Sequence, residues 1–192
     1  MAARFTQVHN ALTDLLPTGV MQRCEWRWVR KGERLFRAGD KPLQMFYVNS
    51  GEVLLERLGQ QGDWLVLQRV QHGFVAQASL ESPRYHCDAR VLINTEFASV
   101  PMELLRQTLC TDAAFALRWI GLQSTEIRRL RLQCERLSLH RVQDRLLHLI
   151  ETEGQDGVLP LTSGLKSLAG QLAVTHEALY RCVASLEKSQ RL

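Results

Sequence analysis

The sequence predicts an α+β protein in which an antiparallel, jelly-roll-like β-roll precedes a long helix and a C-terminal helix-turn-helix. Three observations lead to this prediction. Short apolar runs alternate with glycine-bearing turns over residues 23–101, as in a small antiparallel sandwich or barrel. Residues 113–137 carry apolar side chains at helical spacing without interruption. Residues 168–186 show that spacing twice, with one break.

The β-roll is predicted from its turns. Residues 53–57 and 64–67 flank the turn 59–62 and form the clearest hairpin, and residues 89–100 supply one or two closing strands. Glycine suits such turns because it adopts positive φ freely. The other turns fall at Lys31-Gly32, Gly39-Asp40, Ser50-Gly51 and His72-Gly73.

After the β-roll the pattern becomes helical. Residues 102–109 form a short helix, and Asp112 is suited to cap the long helix 113–137. That helix spans about 37 Å at 1.5 Å per residue. Because it is apolar on more than one side, we expect it to pack on its own β-roll and on the same helix of a second subunit. A single long core helix is the alternative. Ser138 is predicted to cap a further helix over residues 139–151.

Residues 168–186 are predicted to form two short helices joined by a tight turn, which is a helix-turn-helix. Thr175 stands where the second helix needs an N-cap. In such a unit the second helix enters the DNA major groove. The apolar positions are Leu168, Ala169, Leu172, Leu179, Cys182, Val183 and Leu186.

The polar residues of the second helix are His176, Glu177, Tyr180 and Arg181. Glutamate accepts from the cytosine amino group, and arginine pairs with guanine. Residues four apart share a helix face, as Glu177 and Arg181 do. The alternative is an ordinary helical hairpin with a solvated pair. From Ser138 onward six basic residues balance six acidic ones, which counts against DNA because affinity depends on neutralising phosphates.

Composition excludes several classes of protein. No apolar run approaches the roughly 20 residues of a membrane span. The stretch MAARFTQVHNALTDLL reads as a short amphipathic helix and lacks the features of a signal peptide. We therefore expect a cytoplasmic protein without membrane segments. No nucleophile–base pair, metal-ligand spacing or glycine-rich phosphate loop suggests an enzyme. Scattered cysteines argue against disulfides and zinc, and leave a redox sensor open: Cys24, Cys87, Cys110, Cys134 and Cys182.

Two ordered sets of residues carry a family resemblance. In the β-roll, Gly32, Phe36, Gly39-Asp40, Phe46-Tyr47-Val48 and Ser50-Gly51-Glu52-Val53 fit a G…F..GD…Y.V..G.V pattern. Near the C-terminus, Leu168-Ala169, Leu172, Thr175, Glu177 and Arg181 fit a pattern of L-A…L…T-R-E-T-V-S-R type. Nearly the whole chain thus resembles the CRP/FNR superfamily of bacterial transcription regulators. The resemblance implies a homodimer that reads a palindrome on double-stranded DNA, with RNA polymerase as a further partner.

The resemblance also implies domains and base readers. The domains would be a sensor-type β-roll with flanking helices over 1–112, a dimerisation helix over 113–137 and a helix-turn-helix domain over 138–192. The base readers would be His176, Glu177 and Arg181, with Tyr180 beside them. Many members have arginine where His176 stands, and histidine cannot make its two-pronged guanine contact. We therefore expect a half-site altered at one base. Thr175 and Ser167 are expected to bind phosphates or to act as helix caps.

The effector pocket departs from the family pattern. Members that bind cyclic nucleotides carry a glutamate where Gln77 stands and an Arg-Ser or Arg-Thr pair where Tyr85-His86 stands. A buried phosphate without a cationic partner is costly. Arg84 is adjacent, but a one-residue slip in a strand turns its side chain to the other face. We expect a degenerate pocket at Gln77, Tyr85 and His86 that binds neither cyclic AMP nor cyclic GMP, which leaves the effector unknown.

No cofactor is predicted. The iron–sulfur branch of the family clusters several cysteines near the N-terminus, where this chain has only Cys24. Heme stays open, although no spacing favours any axial ligand among His9, His72, His86, His140, His148, Met21 and Met45. An alternative function is a small-molecule, heme or redox sensor whose C-terminal domain contacts proteins. The family continues beyond Leu186 into a wing, so we expect a shortened chain or a missing wing.

Overall fold

The computed structural model describes residues 12–59, 62, 64–159 and 164–189. The chain divides into two compact units between Gly121 and Leu122. The three-part division by function predicted above stays a prediction. None of the helices in the described ranges combines the length and apolar character that a bilayer crossing needs.

The first unit contains one six-stranded antiparallel sheet that folds as a β-roll. It begins with helix α1, of which residues 12–15 are described, and helix α2, Thr18–Met21. The predicted N-terminal amphipathic helix otherwise lies outside the described residues. The strands are β1 (Glu25–Val29), β2 (Arg34–Phe36), β3 (Gln44–Leu58), β4 (Trp64–Val70), β5 (Gly73–Val75) and β6 (Asp88–Pro101).

The two long strands β3 and β6 pair along most of their length and form the centre of the sheet. The strand order is β1-β6-β3-β4, with β2 paired to β6 and β5 paired to β3. Register shifts near Ser50 and Glu52 bend β3, and Gly51 lies between them at φ 105°. A β-carbon at Gly51 would collide with Thr95, so this position needs glycine.

The predicted hairpin of the β-roll is confirmed, because residues 53–58 of β3 pair with residues 64–70 of β4. The closing segment is a single strand, β6. An aromatic cluster fills the inside of the sheet, where apolar side chains from neighbouring strands meet. In it Phe36 lies 5.8 Å from Phe46, and Phe46 lies 5.5 Å from Phe97, measured between ring centroids.

Helix α3 (Met102–Thr111) and helix α4 (Ala113–Ser138) follow the sheet. The predicted cap of α4 is confirmed, because the backbone N–H of Phe115 donates to the Asp112 carboxylate at 2.9 Å. In the first unit, Phe115 and Trp119 of α4 are buried, and Trp119 packs edge-on against Phe74 of β5.

The second unit contains three further helices: α5 (Val142–Glu153), α6 (Gly164–Gln171) and α7 (His176–Lys188). One prediction is wrong here, because Ser138 does not cap a helix over 139–151. Ser138 is the last residue of α4, and its hydroxyl donates to the Glu135 carbonyl at 2.7 Å. Helix α5 begins three residues later than predicted, with Arg141 at its N-cap position.

The core of the second unit is apolar and continuous. The α6 and α7 positions predicted as apolar stripes are buried or partly buried in it, together with the inner face of α5. Its buried members are Leu146, Leu149, Leu168, Ala169, Leu172, Leu179 and Leu186.

Candidate nucleic-acid interface

Helix α6, the turn 172–175 and helix α7 form the predicted helix-turn-helix. Helix α6 ends in a Schellman motif, because the Val174 N–H donates to the Ala169 carbonyl at 3.0 Å and the Ala173 N–H donates to the Gly170 carbonyl at 3.3 Å. The motif needs a left-handed residue, and Ala173 takes that conformation at φ 52°. The turn is therefore set by main-chain bonds although it lacks glycine.

Thr175 begins α7 as the sequence predicts. Its hydroxyl accepts from the Ala178 N–H at 3.1 Å, which satisfies one of the free donors of the first turn. The pKa of the adjacent Glu177 carboxyl lies below its ordinary value. The causes are a hydrogen bond from its own backbone N–H, a weaker one from the Thr175 hydroxyl, and the nearby His176 and Arg181. The shift favours the ionised form that glutamate already has at neutral pH, in which its carboxylate acts only as an acceptor.

The side chains predicted to read bases share one exposed surface, here called the polar face of α7. It consists of His176, Glu177, Tyr180 and Arg181, all of which are exposed. Tyr180 has 60% of its surface free, and its ring centroid lies 6.2 Å from that of His176. The opposite side of α7 is held in the core by Leu179 and Leu186. This burial fixes which side of the helix faces outward.

Two arginines that the sequence did not single out tie the helix-turn-helix to the helices before it. Arg136 of α4 is 1% exposed and pairs with Glu153 of α5 at 2.5 Å. The Gln171 amide of α6 donates to the same carboxylate at 3.3 Å. Arg145 of α5 reaches the turn after α6. Of the other predicted residues, Ser167 lies in α6, and its side chain is outside the described part of the structure.

The three residues predicted for a degenerate effector pocket, Gln77, Tyr85 and His86, lie in different surroundings. Tyr85 is buried, stacks on Phe36 with ring centroids 3.9 Å apart and donates its hydroxyl to the Gln44 carbonyl at 2.7 Å. Burial raises the pKa of Tyr85. His86 is exposed, and Gln77 is half-buried at the start of a short 3-10 helix.

The neighbouring arginine does not supply the missing cation. The Arg84 guanidinium donates to the Gly39 carbonyl at 2.8 Å. Two open cavities of about 460 and 350 Å³ lie on the β-roll, and Gln77, Tyr85 and His86 line neither.

The candidate heme ligands other than His9, and all five cysteines, lie in the described part of the chain. Within the described ranges, no group of three His, Cys, Asp or Glu side chains is placed to hold a metal ion. Met45 is fully buried in the β-roll, and His72 bonds the Asn49 carbonyl. His9 lies outside the described residues. All five cysteines are free thiols, and burial raises the pKa of Cys24 and Cys87 to about 11.

Helix α4 carries several exposed apolar side chains along its length. Leu117, Ile120 and Ile127 are 70, 59 and 50% exposed, and Leu130 and Leu137 are partly exposed. Ile120 and Ile127 are seven residues apart, as are Leu130 and Leu137. A repeat of this kind is typical of a helix that pairs with another helix. We call these five residues the apolar row of α4.

Comparison with known proteins points to one family. Residues 26–112 match the family model of the cyclic nucleotide-binding domain. The sequence is 26% identical over 201 residues to the anaerobic regulatory protein of Bacillus subtilis (strain 168), across 96% of this chain and 84% of that protein.

Solved structures show the same architecture along nearly the whole chain. The c-di-GMP-responsive global regulator CLP of Xanthomonas campestris matches with a TM-score of 0.64 at 25% identity, over 91% of this chain and 93% of that one. FixK2 from Bradyrhizobium japonicum matches with a TM-score of 0.70 at 18% identity, over 87% of this chain and 86% of that one. The Bacillus and Xanthomonas relatives are both described as regulators.

Proposed function

We propose that this chain is a transcription regulator of the CRP/FNR type, a homodimer that binds a palindromic site on double-stranded DNA. The observation that carries the proposal is the polar face of α7. It presents an ionised acceptor and an arginine fork on the outside of a capped helix whose other side is buried. We propose no reaction for this chain.

Each member of the polar face has a role in base recognition. Arg181 donates two hydrogen bonds to guanine O6 and N7, and Glu177 accepts from the cytosine amino group. His176 and Tyr180 flank them and offer ring surfaces in place of an arginine and a small residue. The half-site therefore differs from that of other members at one base. Thr175 stands at the start of α7, where phosphate oxygens are bound, and Ser167 of α6 is the second residue proposed to contact phosphate.

The apolar row of α4 supplies the dimer contact. Pairing of two α4 helices about a two-fold axis removes this row from water. The same axis places two α7 helices on half-sites about one turn of DNA apart. A change in helix pairing would shift the two α7 helices together, which is how an effector would act. The protein acts in the cytoplasm, with RNA polymerase as its further partner.

The proposal is tested by measuring the affinity of two variants, at one stated salt concentration, for the palindrome that the wild type selects from a random duplex pool. Glu177→Ala and Arg181→Ala should each weaken binding about tenfold to a hundredfold, because a base-specific contact contributes roughly 1–3 kcal/mol. Each variant should also accept more sequences at its own base pair. Glu187→Ala, exposed near the far end of α7, is the matched control and should bind as the wild type does. Unchanged affinity in both reader variants would contradict the proposal.

The β-roll is proposed to bind neither cyclic AMP nor cyclic GMP. Tyr85 packs against Phe36, and its hydroxyl is already bonded to Gln44, so the position offers a phosphate no cation. Calorimetric titration of the full chain with each nucleotide should give no binding heat up to millimolar concentration. A dissociation constant in the micromolar range would contradict this part of the proposal.

A second candidate function rests on the balance of charges after Ser138, where acidic and basic residues are equal in number. In that case the β-roll senses a small molecule, heme or redox state, and the C-terminal unit contacts a protein. Footprinting separates the two functions. Protection of a discrete palindrome that is lost in Arg181→Ala excludes protein contacts as the role of the polar face of α7.

A further inference from the structure

Arg145 of α5 donates hydrogen bonds to main-chain carbonyls from two separate places in the second unit. At the end of α4 its guanidinium bonds the Leu139 carbonyl at 2.7 Å and the Leu137 carbonyl at 3.2 Å. At the turn of the helix-turn-helix it bonds the Leu172 carbonyl at 2.9 Å and the Ala173 carbonyl at 3.4 Å. A single side chain thus joins the end of the long helix to the turn before α7.

These carbonyls need a donor from outside their own helices. The last carbonyls of a helix have no partner within it. Leu137 lies in the last turn of α4 and Leu139 is the residue just after its end, while Leu172 and Ala173 follow the end of α6. Both helix ends carry partial negative charge, so one cation between them is favoured by both helix dipoles. The left-handed conformation of Ala173 belongs to the turn whose carbonyls Arg145 bonds.

Lysine could not reproduce this arrangement. The guanidinium is planar and carries five donors in a fixed fork, so it can bond groups on two sides at once. Here its Nε and Nη2 atoms bond the end of α4, while Nη1 bonds the turn. An ammonium group has its donors on one atom and would hold one of the two places at a time.

A second set of contacts joins the same helices on another path. Arg136 of α4 pairs with Glu153 at the end of α5, and Gln171 at the end of α6 donates to that carboxylate. Two separate sets of contacts, those of Arg145 and those of Glu153, therefore connect the end of α4 and α5 to the helix-turn-helix. Contacts at two separate places restrict the rotation of the helix-turn-helix against the end of α4, whereas a single contact would allow it to pivot.

We propose that Arg145 is a positioning residue that holds α7 at one orientation on the end of α4, and thereby sets the half-site spacing that a dimer accepts. The inference rests on the proposed function. It assigns Arg145 no contact with DNA. Arg145 acts on the angle between each α7 and the α4 helix of the same subunit.

Spacing is the property that such a role controls. One added base pair moves a half-site by about 3.4 Å and turns it by roughly 34–36° about the DNA axis. A dimer with fixed α7 orientations cannot place both helices on the displaced half-sites, so its affinity for the lengthened site falls. A dimer with loosely held α7 helices can reorient them onto both half-sites and loses little affinity. Spacing preference therefore reports orientation, whereas overall affinity also reports stability.

The experiment measures the affinity of the full chain for the selected palindrome and for the same palindrome with one base pair added between its half-sites. The wild type should bind the lengthened site at least about tenfold more weakly, a difference of roughly 1.4 kcal/mol. In Arg145→Met the ratio of the two affinities should fall to within about twofold. Arg145→Lys should give an intermediate ratio. Arg141→Met removes the same charge from an exposed position at the start of α5 and should keep the wild-type ratio.

The outcomes distinguish failure of the positioning role from failure of the proposed function. If the wild type binds no palindrome, the proposed function fails, and this inference fails with it. If the wild type binds and Arg145→Met keeps the wild-type ratio, only the positioning role is overturned, whatever the change in overall affinity. Circular dichroism shows whether Arg145→Met is folded. If it is not, Arg145→Lys decides by the same ratio, and an unchanged ratio overturns the role.

Discussion

At Thr175 a single hydroxyl fixes the start of α7 and influences the charge of its first turn. It accepts from the Ala178 N–H and helps to lower the pKa of Glu177. Glu177 is an acidic residue in the first turn, which the helix dipole favours. The residue that begins the helix thus also favours the ionised form of a proposed base reader.

Thr175→Ala should destabilise the second unit by about 1 kcal/mol, because it removes the cap from the first turn of α7. Thr175→Ser keeps the hydroxyl, and because serine caps helices at least as well as threonine, it should leave the free energy of unfolding unchanged. Far-UV circular dichroism during urea unfolding measures both variants. An equal loss in the alanine and serine variants would show that the hydroxyl is not what stabilises this helix.

Caps were predictable at the residue scale, whereas the arginine and tyrosine contacts were not. Asp112 and Thr175 act on the backbone three residues ahead, so their type and position were sufficient. Arg145 bonds carbonyls 27 and 28 residues away. Because every residue has a backbone carbonyl, the sequence does not indicate which of them a distant arginine bonds. Tyr85 was identified as a departure from the family pattern, but its stacking on Phe36 depends on how the strands pair.

Among the elements, β3 is unusual because it buries two carboxylates. Glu52 and Glu56 are 4 and 2% exposed. Arg69 of β4 pairs with Glu52 at 2.9 Å, and Arg90 of β6 pairs with Glu56 through two bonds of 2.6 and 2.7 Å. These pairs connect β3 to the strands on either side of it. Each carboxylate would be costly to bury without its arginine.

Arg90→Ala should destabilise the β-roll by about 2–3 kcal/mol, because it leaves the Glu56 carboxylate buried and unpaired. This is below the full range for buried pairs, since Arg90 itself is 37% exposed. The matched control is Arg27→Ala, which breaks the exposed pair with Glu25 and should cost less than about 1 kcal/mol. Urea unfolding followed by tryptophan fluorescence reports on this unit, since every tryptophan lies between residues 26 and 119. Equal losses in the two variants would contradict the role of burial.

The type of each element was predictable, and one boundary was not. Short apolar runs and turn glycines predicted the hairpin of β3 and β4, and helical periodicity predicted α4 and α7. Ser138 has the composition of an N-cap, but it ends α4 instead. The carbonyls of the connecting residues are bonded by Arg145, a tertiary contact that local capping rules do not contain.

For the whole molecule, the apolar row of α4 is the feature that most requires a partner. An uncovered row of large apolar side chains along one helix usually marks an interaction surface. The proposed two-fold pairing of α4 covers it with a second copy of the same row. The palindromic symmetry of the DNA site then follows from the symmetry of the protein.

Ile127→Glu should convert the protein to a monomer at about 10 μM, because a dimer would bury two like charges in an apolar seam. Arg128→Glu changes the charge of the next residue, outside the apolar row, and should remain dimeric. Sedimentation equilibrium measures both variants. A dimer of unchanged affinity in Ile127→Glu would mean that the apolar row of α4 is not the dimer contact.

The most direct test of the central claim is selection of bound sequences from a random duplex pool by the purified full chain at one stated salt concentration. The proposed dimer should enrich a palindrome whose half-sites lie roughly 10–10.5 base pairs apart, centre to centre. Arg181→Ala should enrich the same palindrome with one base pair relaxed in each half-site. Enrichment of no sequence, or of a single unpaired site, would contradict a dimer that reads DNA through the polar face of α7.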